Sequence, residues 1–321
     1  MIYIPTPGTD ACIHLAAEYY FSLEHPLPEP VLLFWQTEPT IVVGKYQNTL
    51  AEINLPYVQA HGIRVVRRLS GGGAIYSDRG NWMYSFLTEG DGSIDFGEGS
   101  TPVIDALQAL GVDASFGGRN DILLDGRKIS GTAQYQLTGR SVYHGTLLFD
   151  TDVEQMIAAT TVDPQKLESK GIASVRARVV NLKDYLPRYN AGSFGEAMLA
   201  QLRRNCSVYE PSAEDLSRIE SIAGERFRGW ENVYGRDPRC TLEKSRRFPG
   251  GRVTLQLGLK GNRITAAVLQ GDFFAGEAAD HIAEALTGCV LSREAIEAAL
   301  QPYDGALYGI SSAELAALAT E

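Results

Sequence analysis

A chain of 321 residues is long for a single hydrophobic core, so two domains are expected. Apolar residues make up 44% and charged residues 21%, ordinary for a globular fold, and no apolar run is long enough to span a bilayer. The net charge of −10 argues against a surface that grips nucleic acid throughout, yet leaves room for a local basic cleft around an anionic ligand.

The opening stretch, MIYIPTPGTDACIHLAAEYY, lacks a basic region followed by an apolar segment, so no signal peptide is expected. Cys12, Cys206, Cys240 and Cys289 lie far apart with no CxxC pair. A cytoplasmic protein with reduced thiols and no membrane partner is the expectation.

In chain order, GTDACIHLAAEYYFSL starts with a Thr/Asp cap, and Ile13, Ala16, Ala17 and Tyr20 recur at helical spacing, which predicts a first amphipathic helix. PVLLFWQ and PTIVVGKY read as buried strands, and IRVVRRLSGGGAIYSDRGNWMYSFL as strand, glycine loop, strand, turn, strand. STPVIDALQALGV reads as a helix stopping at Gly111. NDILLDGRKISGTAQY is a hairpin around Asp125-Gly126, with SVYHGTLLFD as the next strand. Helices with polar loops occupy roughly 153–228. Beyond about residue 240, antiparallel strands turning at Gly261-Asn262 precede three short helices. The expected class is therefore α+β: a large domain, 1–240, with mixed or antiparallel sheets flanked by helices, and a small α+β C-terminal domain, 241–321.

Familiar nucleotide and metal signatures are missing. There is no GxxxxGK[ST], no GxGxxG on a strand-to-helix turn and no HExxH. The DFG at 95–97 has no HRD partner and reads as chance. The glycine loop is different. Successive glycine N–H groups form a concave donor surface for phosphate or carboxylate oxygens, with no Cβ to obstruct approach. Arg67 and Arg68 alternate faces on a regular strand, so at most one points into such a site. Alone, the stretch fits a solvated hairpin loop equally well.

The Asp125-Gly126 hairpin supplies a partner. A two-residue turn pairs Leu124 with Arg127, Leu123 with Lys128, Ile122 with Ile129 and Asp121 with Ser130. Alternation then puts Lys128, Ser130, Thr132 and Gln134 on one face, with Asp121 diagonal to Lys128. An edge hairpin with its polar side in water satisfies the same pattern. His144, alone on its strand, is ordinarily structural, and Gly145 is a candidate bulge.

RRLSGGGAIYSDRGN, NDILLDGRKISGTAQ, YHGTLLFDTD and KGIASVRARVVNL, in that order and spacing, closely resemble lipoate–protein ligase. PTIVVGKYQNTLAEIN is similar to the strand and loop before the family's glycine motif, with Lys45 where arginine is more usual. VYGRDPRC and GGRVTLQLGLKGNRITAAVLQGDFF resemble the join and small C-terminal domain, so the resemblance covers nearly the whole chain. It implies the biotin/lipoate ligase fold and a two-step reaction. ATP, with Mg2+, and lipoate give lipoyl-AMP, and the lipoyl group passes to a lysine of a carrier domain. The implied acceptors are acyltransferase subunits of 2-oxoacid dehydrogenases and the glycine-cleavage carrier protein.

Residue by residue, Lys128 matches the lysine that holds carboxylate and α-phosphate, and is the implied catalytic group. Arg68, Gly73, Ala74, Ile75, Tyr76, Asn81 and Asp121 match nucleotide-side positions, Asp121 also being the implied Mg2+ contact. Ser70, Gly71, Gly72, His144 and Gly145 would lie along the lipoyl group, and residues 169–176 would close over the adenylate. An ATP-independent octanoyl or lipoyl transferase of the same fold needs a cysteine close after HGT, where this chain has none. A non-catalytic homologue would not need Lys128, Arg68 and three glycines together. A biotin ligase would carry a different glycine-arginine motif in place of SGGGA.

Overall fold

The computed structural model describes residues 1–90, 93–160, 177–234 and 242–320. Strand β1 (Ile2–Tyr3) leads to helix α1 (Ala11–Tyr19), where the Asp10 side chain accepts the Cys12 amide at 3.0 Å and caps the helix. Burial extends nearly all round α1, wider than the stripe its spacing predicted. Strands β2 (Val31–Trp35) and β3 (Thr40–Val43) precede the short helices α2 (Thr49–Glu52) and α3 (Leu55–Ala60). Strands β4 (Arg64–Arg67) and β5 (Ile75–Ser77) flank the glycine loop. After β6 (Asn81–Glu89) comes α4 (Phe96–Ala109), whose cap Asp95 accepts the Glu98 amide at 2.9 Å; the DFG tripeptide is a helix start.

Then follow β7 (Ser115–Phe116), β8 (Asp121–Leu124), β9 (Arg127–Leu137), β10 (Arg140–Leu148), α5 (Val153–Thr160), α6 (Ala191–Leu202), β11 (Ser207–Val208), α7 (Ala213–Ile222) and α8 (Trp230–Tyr234). The C-terminal part holds β12 (Leu242–Phe248), β13 (Gly251–Lys260), β14 (Arg263–Gly271), α9 (Ile282–Leu286), α10 (Arg293–Leu300) and α11 (Ser312–Thr320).

The main sheet has the order β11-β1-β2-β6-β10-β9-β8-β7, parallel at its β11/β1/β2 end and antiparallel elsewhere. A second sheet, β4-β3-β5, carries the glycine loop, and a third, β12-β13-β14, is antiparallel. Alternate residues of β2 serve two cores: Leu32 and Phe34 face the side of α4 and α6, Leu33 and Trp35 that of α1 and α7. Burial on both faces explains why β2 reads as an unbroken apolar run. Ile41, Val43 and Tyr76 form a third core with Val58 and Ala159. The third sheet has its own core against α9, α10 and α11. Phe274, just after β14, instead joins the first core, beside Phe96.

The β8–β9 hairpin corrects one expectation. Asp125 (φ 51°) and Gly126 (φ 72°) make the expected two-residue turn, with Leu124 opposite Arg127 and Leu123 opposite Lys128. The register then slips: Ile122 pairs with Ser130 and Asp121 with Gly131, leaving Ile129 as the extra residue of a bulge. Ile129 is fully buried in the first core, and Ser130 turns the same way to meet the Tyr84 hydroxyl at 3.1 Å. Lys128, Ser130, Thr132 and Gln134 therefore do not share a face. Gly131, opposite Asp121, and Ala133, opposite His144, take the face of Lys128 instead. Gly145 sits in unbroken register with both neighbouring strands and is not a bulge.

Candidate active site

A cavity of about 120 Å³ opens where the glycine loop meets β9 and β10. Leu15, Val42, Ile75, Met83, Ala133 and Phe274 give it apolar walls. Its polar lining includes Arg68, Lys128 and His144, with the backbone of Gly72, Gly73 and Gly145. A second, polar cleft of about 610 Å³ lies on the other side of Gly73 and Ala74, bounded by Asn48, Glu52, Arg252 and Asp272. The loop thus divides an apolar chamber from a polar one. Burial, and then the charge of Asp272, raises the Glu52 carboxyl above its usual range.

Both arginines before the loop are buried, so neither is a solvated surface charge. Alternation parts them. Arg67 donates to the carbonyls of Gly44, Gln47 and Val233 and to the Thr49 hydroxyl, bracing α2 and α8. Arg68 turns to the loop: Nη2 donates to the carbonyls of Gly71 (2.6 Å) and Gly73 (2.8 Å), Nη1 to Val42 (2.9 Å) and Nε to Ser70 Oγ (2.8 Å). Burial pulls its pKa down to about 10, opposed by the negative charge of Glu18. In a trans peptide C=O and N–H point oppositely. Drawing the Gly71 and Gly73 carbonyls onto Arg68 therefore directs the Gly72 and Ala74 N–H groups away from it. The Gly72 N–H meets the Phe273 carbonyl at 2.8 Å.

Ser70 and His144 belong to one buried chain. Ser70 Oγ lies 2.7 Å from His144 Nε2, and His144 Nδ1 lies 3.0 and 3.1 Å from the carboxylate oxygens of Glu18. Glu18 also accepts from Ser85 Oγ at 2.6 Å and the Tyr135 hydroxyl at 3.2 Å.

Lys128 Nζ lies 2.7 Å from Asp121 Oδ1, the two side chains 34% and 36% exposed. The bulge keeps them on one face, and Gly131 leaves room for the ammonium: a Cβ there would sit 2.7 Å from Nζ. Tyr76 and Asn81 are not brought to the cavity. Tyr76 turns into the third core with its hydroxyl on Gln155, while Asn81 Nδ2 donates to Ser77 Oγ at 2.9 Å. Residues 169–176 lie outside the described residues.

Residues 10–203 match the family model described as the lipoyl protein ligase A/B catalytic domain, and residues 237–318 that of the bacterial lipoate protein ligase C-terminus. Lipoate-protein ligase LplJ of Bacillus subtilis is 41% identical over 301 residues, 91% of each chain. Lipoate–protein ligase 1 of Staphylococcus aureus is 39% identical, with 92% of each chain covered. The chain belongs to the lipoate–protein ligase family. Among solved structures, P. falciparum LipL1 in complex with lipoate superposes with a TM-score of 0.77, 20% identity and 94% of each chain covered. A bipartite lipoate protein ligase from Thermoplasma acidophilum gives 0.66 at 23% identity, covering 75% of this chain and 98% of the other. At such identities the likeness shows the fold, which is that of the lipoate ligases.

In this ligase, sequence reasoning missed Glu18, Phe274 and Asn120, which borders the cavity and donates to the Thr132 carbonyl at 2.7 Å. Glu18 left a trace, since it follows Leu15 by three positions and puts a carboxylate on the buried stripe of α1, a rare place for an unpaired acid. Phe274 left none, because its place depends on how the third sheet docks. Among the described residues no cysteine lines the cavity: Cys12 is buried in α1, where burial pushes its thiol up to about 12, and Cys206 and Cys289 pack elsewhere.

Proposed function

We propose that this ligase activates lipoate with ATP and transfers the lipoyl group to a lysine of a carrier domain, through Lys128 and the glycine loop. The observation that carries the reading is the partly exposed Lys128 side chain on the wall of a mainly apolar cavity, beside the loop whose Gly73 and Ala74 also border a polar cleft. A carboxylate with an apolar tail suits the cavity, whose wall includes Ile75, while the nucleotide would lie on the polar side of Gly73 and Ala74. The lipoate oxygen attacks the α-phosphorus and the bond to pyrophosphate breaks. Lys128 screens the two anions as they meet and stabilises the charge developing at phosphorus. The carrier lysine then attacks the acyl carbon of the mixed anhydride and AMP leaves, with no covalent enzyme intermediate.

Arg68 acts on the ligand through the loop, whose N–H groups it directs. Asp121 is the carboxylate beside Lys128. One carboxylate suits a magnesium ion that arrives on the phosphates and takes its other ligands from them and from water; bound there, the ion would neutralise phosphate charge. Residues 1–240 form the catalytic unit in this reading and 241–321 an accessory one. The carriers are lipoyl domains of 2-oxoacid dehydrogenase acyltransferase subunits and the glycine-cleavage carrier protein, in the cytoplasm. Among the described residues no helix is long and apolar enough to cross a membrane.

Mass spectrometry of a carrier lipoyl domain lacking its lipoyl group, incubated with the enzyme and lipoate, tests this. A lipoyl mass increment is expected with ATP and none without it. Transfer from an acylated carrier in the absence of ATP would support an acyltransferase instead.

A further inference from the structure

We infer that Glu18 is a positioning residue which, through His144 and Ser70, holds Arg68 and the glycine loop in the arrangement that turns the Gly72 and Ala74 amides away from the guanidinium; this rests on the loop's proposed role in binding the activated acyl group. Glu18 is fully buried, and its carboxylate collects donors from three strands: Ser85 on β6, Tyr135 on β9 and His144 on β10. A carboxylate withdrawn from water is costly to keep, and an apolar residue would fill the position at less expense if packing were its task.

The hydrogens along the chain follow from donor chemistry. A guanidinium donates only, so Ser70 Oγ accepts from Arg68 Nε and has its own hydrogen for His144 Nε2. The Glu18 carboxylate only accepts, so Nδ1 carries a proton facing it, and the Ser70 hydrogen given to Nε2 completes the relay. Order then passes from α1 to the loop: Glu18 sets the tautomer, the tautomer sets the Ser70 hydroxyl, and Ser70 steadies the guanidinium that grips the Gly71 and Gly73 carbonyls. The connectivity matches an acid–imidazole–serine triad. Ser70, however, is fully buried, does not border the cavity and is engaged by Arg68, so its hydroxyl holds the loop and does not attack an acyl carbon.

The test compares the full-length enzyme with Glu18→Gln, which removes the charge, and Glu18→Leu, which also removes the acceptor. Nitrogen-15 NMR of wild-type His144 should show the proton on Nδ1, and in Glu18→Leu the Nε2–H form should appear. Amide exchange at Gly71–Gly73 should accelerate in Glu18→Leu while the far-UV spectrum is unchanged. The kcat for lipoate-dependent pyrophosphate release should fall by up to about 100-fold in Glu18→Leu and less in Glu18→Gln. An Nε2–H tautomer in the wild type overturns the inference, and so do folded variants with unchanged loop exchange and kinetics. Should neither variant fold, the wild-type tautomer alone decides. A wild type that releases no pyrophosphate with lipoate defeats the functional reading; the tautomer and exchange measurements still judge the relay.

Discussion

In the proposed mechanism Lys128 is the residue on which the chemistry turns, and that role can be tested directly. Replacing it by Ala removes the ammonium and leaves Asp121 without its partner 2.7 Å away. Lipoate-dependent pyrophosphate release is expected to fall at least about a hundredfold, the scale of losing one preorganised electrostatic donor at a developing charge. Near-normal release in a folded Lys128→Ala protein would remove it from the mechanism. The pairing of Lys128 with Asp121 was legible in the sequence because a two-residue Asp-Gly turn sets the start of the register. Glu18 and the inward course of Arg68 were not, since which side chain faces a loop depends on elements brought together from distant parts of the chain.

At the scale of elements, α1 carries a second buried group with a measurable consequence. His14 is stacked on Trp35 at 4.4 Å, with its ring nitrogens 3.1 Å from Thr6 Oγ1 and 3.2 Å from the Gly8 carbonyl. Burial pulls its pKa down from 6.5 to about 4, against smaller opposing effects of the Gly8 hydrogen bond and of Asp10 and Glu18. The folded chain stays neutral there while the unfolded chain takes up a proton. The contribution to stability is complete above pH 6.5 and is lost as pH falls toward 4, on the order of 3 kcal/mol across the window. Denaturant unfolding at pH 7 and pH 4.5 should register this loss, and His14→Gln should reduce it. An equal loss in the variant would show that other groups dominate. The β8–β9 hairpin teaches a related lesson: its turn was readable locally, but the bulge at Ile129 was decided by the first core, which takes the isoleucine and shifts every later partner.

Across the whole molecule, the C-terminal part seats directly on the glycine loop. The Phe273 carbonyl receives the Gly72 amide, Tyr46 stacks on the Phe273 ring at 4.6 Å, and Lys45 pairs with Asp280 at 2.6 Å. Phe274 fills a gap between the cavity and the first core, a burial that contributes about 1.5–3 kcal/mol. At Gly72, φ is +85° and a Cβ would stand 2.7 Å from the Phe274 ring, so any side chain disturbs the local backbone and the docking together. Gly71 separates the two effects: a Cβ there would overlap the Phe273 carbonyl oxygen without needing an unusual φ. Gly71→Ala is expected to keep both parts folded but undock them, seen as a larger radius of gyration in X-ray scattering and faster amide exchange at 271–276. An unchanged radius and exchange would mean that the contact yields easily.

The sequence by itself determined the α+β class, the strands around the glycine loop, the turns at Asp125-Gly126 and Gly261-Asn262, and the family. These follow from backbone preferences spanning a few residues and from ordered motifs, both carried along the chain. Only the tertiary structure decided that Arg68 grips the loop from beneath, that Glu18 stands behind His144, and that Phe273 occupies the Gly72 amide. Those contacts join residues far apart in the chain, and burial chooses among partners that local geometry leaves equivalent.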